Sequence, residues 1–261
     1  MTKIDTAVVT STIGRPLLEE TIHSVITQTR SAKHYVFVHG KEFWDKSTAI
    51  LDKYPQVEAV YLPNNNGGNG YGGPAVWEES YQLYNGYGMA PVFALAPFVV
   101  SEKYICYLDD DNWFEPTHVE STVGLIEKYD LDWAYSLRNI VSAEGDFICV
   151  DDCESLGYFV NPDGFQVVDN SCMVVVTEVA RKYGNQWYYP IVSDRMFLKA
   201  LLKAKLAGGC TGKATSNYRM SPDGSGVMSI EAFKQNNNYQ IDQNIEFNWR
   251  KESVINLKEE K

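Results

Sequence analysis

Three β-forming runs separated by two helix-patterned segments occupy residues 7–62, and this alternation narrows the possible folds more than any other feature of the chain. The first run, Ala7, Val8 and Val9, stops at the polar cluster Thr10, Ser11 and Thr12. HYVFVHG (34–40) and VEAVYL (57–62) are the second and third. After the first run, Pro16 suits an opening helical turn, and Leu18, Ile22 and Val25 share one helical face. Glu19 and Glu20 lie near the positive end of that helix's dipole. A second helical pattern covers residues 43–54. Strand, helix, strand, helix, strand predicts right-handed crossovers, since parallel neighbours cannot be joined by a tight turn. The expected class is α/β, with a mixed, mainly parallel sheet flanked by helices.

Further along, PNNNGGNGYGGP (63–74) cannot pack a core and predicts a loop, placed to pass over a ligand. Helical character follows to Val100, with Pro91 and Pro97 expected to break it. YICYLDDDN (104–112) is a strand ending in three acids, and Pro116 opens a helix with Val119, Val123 and Ile126 on one face. WAYSL, FICV and SCMVVV predict strands, and DRMFLKALLKAKL an amphipathic helix. Residues 1–230 are expected to form one domain. From Glu231 the chain is polar, predicting a C-terminal extension over 231–261 that is helical or partly disordered.

Composition excludes some classes. A net charge of -11 repels a phosphate backbone, and no cluster of Lys and Arg offers a local exception, which argues against a nucleic-acid partner. No window approaches the roughly 18 apolar residues of a membrane span. The start, MTKIDTAVVT, lacks the apolar core of a secretory signal, so a cytoplasmic protein is expected. Five cysteines, an odd number without metal-finger spacing, read as reduced thiols of the core.

Asp109, Asp110 and Asp111 raise the question of chemistry. On an extended strand end, Asp109 and Asp111 point the same way and Asp110 the other. Two converging carboxylates repel, and a hard divalent cation relieves the conflict by accepting their oxygens. Ligands of open α/β sheets gather beyond the carboxyl ends of strands, which is where the triplet falls. A solvated acidic turn that caps the next helix is the alternative reading of the same residues.

VVTSTIGRPLLEETIHSVITQT (8–29), followed by YICYLDDDNWF (104–114), resembles the GT-A (Rossmann-like) glycosyltransferases of family 2. That family has a first strand, a Thr- or Ser-rich turn with Arg, a helix ending in Gln-Thr, and an Asp-x-Asp motif. The resemblance covers roughly residues 5 to 220. It implies that Thr10, Ser11, Thr12 and Arg15, with Asp109 and Asp110, line the nucleotide pocket. Small hydroxyls suit a base or ribose, and a guanidinium suits a diphosphate. It implies that Asp109 approaches the ribose and that Asp111, with Asp109, holds Mn2+ or Mg2+. Asp194, at the start of a late helix, takes the place of the family's catalytic base, although it is also where an aspartate simply charges a first turn. Trp187, Tyr188 and Tyr189 are placed to stack on a sugar, and Asp169 and Asn170 to bond acceptor hydroxyls. Four residues depart from the pattern. His39 and Gly40 stand where the family often has a base-binding Asp, Ser193 precedes Asp194 in place of Glu, and Ser221 stands where a His often follows Tyr-Arg-x. The expected activity is metal-dependent, inverting transfer of a sugar from a UDP-linked nucleotide-sugar donor to a hydroxyl of a glycan or other acceptor. The alternative is a nucleotide-sugar or glycan binding protein that has lost turnover.

Overall fold

The computed structural model describes residues 4–64, 89–151, 168–188, 193–220, 229–231, 233 and 251–258. Its first strand, β1 (Thr6–Thr12), is buried along its whole length, as expected of a run with no polar face before its end. The chain then forms α1 (Leu18–Ile26), β2 (Lys33–His39), a 3-10 turn at Lys41–Phe43, α2 (Trp44–Leu51) and β3 (Glu58–Leu62). β1 pairs parallel with β2, and β2 with β3. The expected order of strands and helices is therefore the one formed, and Leu18, Ile22 and Val25 are the buried face of α1.

After α3 (Met89–Val99), β4 (Tyr104–Asp109) inserts parallel to β1 on the side away from β2. β5 (Trp113–Phe114), α4 (His118–Tyr129), β6 (Trp133–Val141), β7 (Phe147–Asp151), β8 (Met173–Val176), α5 (Thr177–Tyr183), α6 (Ser193–Lys203), β9 (Gly208–Arg219) and β10 (Ser253–Ile255) complete the described elements. The sheet runs β10-β9-β6-β8-β4-β1-β2-β3, with β5 beside β9 and β7 beside β6. Along that path only β8 and β10 run against the common direction, so the sheet is mixed and mainly parallel.

Alternation along the central strands divides the core. Ala7, Val9, Ile105 and Tyr107 face α3, α5 and α6, whereas Val8, Cys106 and Leu108 face α4 and Val25 of α1. Val36 and Val38 pack on Leu18, Ile22 and Leu51 from α1 and α2. Each fully buried Leu, Ile or Phe of this kind contributes about 1.5–3 kcal/mol. Cys106, Cys172 and Cys210 are buried among these apolar residues.

Two expectations change. α3 runs through both prolines. Pro91 stands in its first turn, where an N–H has no partner inside the helix. Pro97 lies one turn from the end, where Arg181 donates to the carbonyls of Pro97 (2.7 Å) and Val100 (3.1 Å). The polar tail also returns to the sheet, because Ser253–Ile255 pair antiparallel with Gly208–Cys210. Residues 65–74 of the Gly- and Asn-rich tract, Tyr189, and most of 231–261 lie outside the described residues. No helix among the described residues is long and apolar enough to cross a membrane.

Candidate active site

β1 and β4 end side by side, with Ser11 in register with Asp109. β4 stops at Asp109, and the chain turns at once, the Asn112 N–H donating to the Asp109 carbonyl at 3.3 Å. Because the turn begins inside the triplet, strand alternation holds for Asp109 and Asp110 but not for Asp111. Asp109 faces the 3-10 turn Asn170–Cys172 that leads into β8, accepting from Asn170 Nδ2 (3.0 Å) and Ser171 Oγ (3.4 Å) there and from Asn112 Nδ2 (3.3 Å) of its own turn. Asp110 faces the β1 loop and accepts from Thr12 Oγ1 at 2.6 Å. Asp111 does not point with Asp109 as expected. It joins Asp110 at Arg15, whose Nη1 lies 2.7 Å from Asp111 Oδ2 and 3.5 Å from Asp110 Oδ1.

The loop that presents Arg15 is shaped by Gly14. Its φ is +74°, and a Cβ there would come within 2.6 Å of Ser47 Oγ on α2. The Gly14 N–H donates to Thr12 Oγ1 at 2.9 Å, so this hydroxyl bridges loop and acid. The end of α1 is joined to the exit of the acidic turn. Gln28 donates to the Glu115 carbonyl (2.8 Å) and accepts from the Val119 N–H (3.0 Å), and the Thr29 N–H donates to the Pro116 carbonyl (2.8 Å). The two sequence signals, helix-ending Gln-Thr and acidic triplet, are thus neighbours in space. Thr21 Oγ1 of α1 adds a bond to the Asn112 carbonyl at 2.7 Å.

Burial is the main electrostatic force here. It pushes the carboxyls of Asp109 and Asp110 above the usual range. Repulsion from Asp169 and Asp111 adds to the effect at Asp109, while Arg15 and Thr12 oppose it at Asp110. Asp111 is pushed up to about 6 by burial and then by Asp110, against Arg15 and Arg219. Asp194, half-buried at the start of α6, is also pushed up to about 6, by burial first and Asp169 second. Its carboxylate accepts the Arg195 N–H at 2.7 Å. Asp169 itself pairs with Arg138, a buried guanidinium whose Nε also lies 2.7 Å from Asp151 Oδ2 and whose face lies 4.5 Å from the Tyr218 ring centroid.

Two residues expected in the site are not there. Thr10 is fully buried and its hydroxyl lies 2.9 Å from His34 Nε2, so it belongs to the core behind the β1 loop. Trp187 is 1% exposed and packed among Phe93, Tyr107 and Phe197 at centroid distances of 5.3, 5.0 and 4.8 Å, which leaves no ring face for a sugar. The Ser11 hydroxyl is buried at the strand end, with no hydrogen-bond partner among the described residues. Asn170 is engaged in holding Asp109. Sequence reasoning missed Asn112, Ser171, Arg138 and Arg219. A charge inside the apolar run of β6 was the available signal for Arg138.

The donor set suits a hard cation in kind, since Asp109 and Asp111 are carboxylates whose proton affinities are raised by burial first and by neighbouring acids second. Among the described residues, no set of three or more His, Cys, Asp or Glu side chains is arranged to hold a metal ion by itself. Substrate oxygens and water would have to complete any coordination.

No protein-family model matches the chain. A stretch of 52 residues is 38% identical to an uncharacterized protein of Haemophilus influenzae, 20% of this chain and 35% of that protein. Among solved structures, S. aureus TarS 1-349 in complex with UDP-GlcNAc matches with a TM-score of 0.59 at 14% identity, over 89% of this chain and 64% of that one. TarS 1-349 in complex with UDP matches with a TM-score of 0.56 at 14% identity, over 85% and 62%. The chain therefore spans less than two thirds of the length of these structures. What such likeness shows is the fold, and it is the GT-A architecture expected from the sequence.

Proposed function

We propose that the chain is a glycosyltransferase that takes a UDP-linked sugar and transfers it to a hydroxyl by a single in-line displacement with inversion. The observation that carries this reading is the meeting of the acidic turn with the β1 loop at the carboxyl ends of two parallel strands, Arg15 to Asp111 at 2.7 Å and Thr12 to Asp110 at 2.6 Å. Likeness of fold to TarS structures that hold UDP and UDP-GlcNAc supports the choice of ligand.

In this reading Arg15 turns its planar fork to the diphosphate, and the buried Ser11 hydroxyl bonds the nucleoside. Asp111 and Asp109 would hold Mn2+ or Mg2+, which when bound neutralises charge on the leaving diphosphate. Asp194 removes the proton of the acceptor hydroxyl, and Asp169 lies close enough to keep that carboxylate basic.

A thermal-shift panel of nucleoside diphosphates with and without Mn2+ tests the reading. The expected result is a UDP-selective, Mn2+-dependent rise in Tm, about 2.7 kcal/mol of stabilisation at a ligand concentration of 100 Kd, that Asp111→Ala abolishes. Equal responses to all nucleotides, or none, would sink it. Binding of UDP without its release from any UDP-sugar, unchanged in Asp194→Asn, selects a binding protein instead.

A further inference from the structure

We infer that Arg219, the last residue of β9, is a positioning residue that latches the acidic turn to α1 and to the β6–β7 hairpin. Its side chain is 7% exposed, and each of its three guanidinium nitrogens donates a hydrogen bond. Nε donates to the Asp111 carbonyl at 3.2 Å, Nη1 to the Ala143 carbonyl at 2.7 Å, and Nη2 to the Glu20 carboxylate of α1. Its flat face lies 4.7 Å from the Trp113 ring centroid. The Arg219 backbone N–H donates to Asn112 Oδ1 at 2.9 Å, and the other end of that amide reaches Asp109 Oδ2 at 3.3 Å. One residue therefore holds the carbonyl of Asp111 and, through Asn112, the carboxylate of Asp109.

The hairpin is built to close on this fork. Gly145 has φ +99°, and a Cβ there would lie 3.5 Å from Arg219 Nη1 and 3.8 Å from the Trp113 ring. β9 sets the height of the latch, because Asn217 and Ser216 pair with Trp113 and Phe114 immediately beyond the turn. A planar group with donors in three directions meets these partners, and a lysine ammonium, a single point of charge, cannot. With all three guanidinium nitrogens bonded to protein, Arg219 acts on the site through the shape of the turn.

Hydrogen–deuterium exchange on the full chain without ligand tests the latch in Arg219→Gln and Arg219→Lys. Both variants are expected to exchange at least tenfold faster over 109–114 and 142–146, with residues 6–10 and 104–108 unchanged; if the glutamine variant does not fold, the lysine variant decides. Acceleration by one common factor throughout the sheet, no acceleration, or full rescue by lysine overturns the inference. A second arm rests on the UDP-sugar reading: where the unsubstituted protein binds UDP with Mn2+, both variants bind it about tenfold more weakly, and equal affinity overturns the latch. An unsubstituted protein that binds no UDP removes that reading, and exchange alone then decides this one.

Discussion

At the scale of single residues, Asp194 shows how burial tunes a carboxyl that the proposed function makes a base. A carboxyl pushed up to about 6 by burial and by Asp169 is still ionised at neutral pH, yet more basic than an exposed aspartate. The acid limb of the rate should therefore fall near pH 6, and Asp194→Asn should lower turnover by about 10²–10⁴-fold. The same shift fixes a sign for stability. A raised carboxyl adds stability below its unfolded value of about 3.9 and loses it as pH rises through about 6, so at pH 7.5 the charge is a cost. Asp194→Asn should raise Tm at pH 7.5 while it removes activity, which a pH–rate profile and scanning calorimetry check together. The placing of Asp194 in the first turn of α6 was legible because the run that follows it is amphipathic. Trp187 was misread because an indole suits a sugar and a core alike, and the deciding neighbours Phe93, Tyr107 and Phe197 come from three other elements.

At the scale of elements, legibility follows where a strand's identity is stored. β1, β2 and β4 announce themselves because both faces are covered and their residues are apolar in sequence. β9 does not, since GGCTGKATSNYR carries no apolar alternation and owes its place to β6, with which it pairs parallel through two register shifts. Its opening glycines look like a loop in sequence but answer a packing need. A Cβ on Gly208 would lie 2.2 Å from Trp133 Cε2, inside a fully buried ring. Gly208→Ala should therefore cost about 1–3 kcal/mol, as overpacking does. In a domain of this size that lowers Tm by roughly 2–12 °C. Adding Trp133→Phe, which trims the ring that the new methyl meets, should recover part of the loss. Strict additivity of the two substitutions would show that the contact is not the cause. The acidic turn was half legible: the triplet marks the strand end, but its departure from alternation depends on the adjacent Asn112 and on Ser171 and Arg219, brought in from distant segments.

At the scale of the whole molecule, two sets of buried groups oppose each other as pH falls. His34 and His118 are both pushed down to about 3 by burial, so the stability they contribute is present above the unfolded value of about 6.5 and is lost as pH falls below it. Between pH 7.5 and 5 that loss is about 2 kcal/mol for each histidine. Asp111 and Asp194, both at about 6, regain about 1.4 kcal/mol each over the same interval as they take up protons. Asp109 and Asp110, raised in the same direction, add to the gain. The four groups at about 3 and about 6 leave a net loss of about 1.2 kcal/mol, which Asp109 and Asp110 reduce, so acidification from pH 7.5 to 5 should cost the unliganded chain no more than about 1.2 kcal/mol. Replacing both acids removes one side of the balance. The variant carrying Asp111→Asn and Asp194→Asn should be more stable than the unsubstituted chain at pH 7.5 and lose about 3 kcal/mol more on acidification to pH 5. Urea unfolding at both pH values measures the difference. Parallel pH dependence in the two proteins would mean that these carboxyls titrate in the folded state as exposed ones do, and the electrostatic account of the site would fail with it.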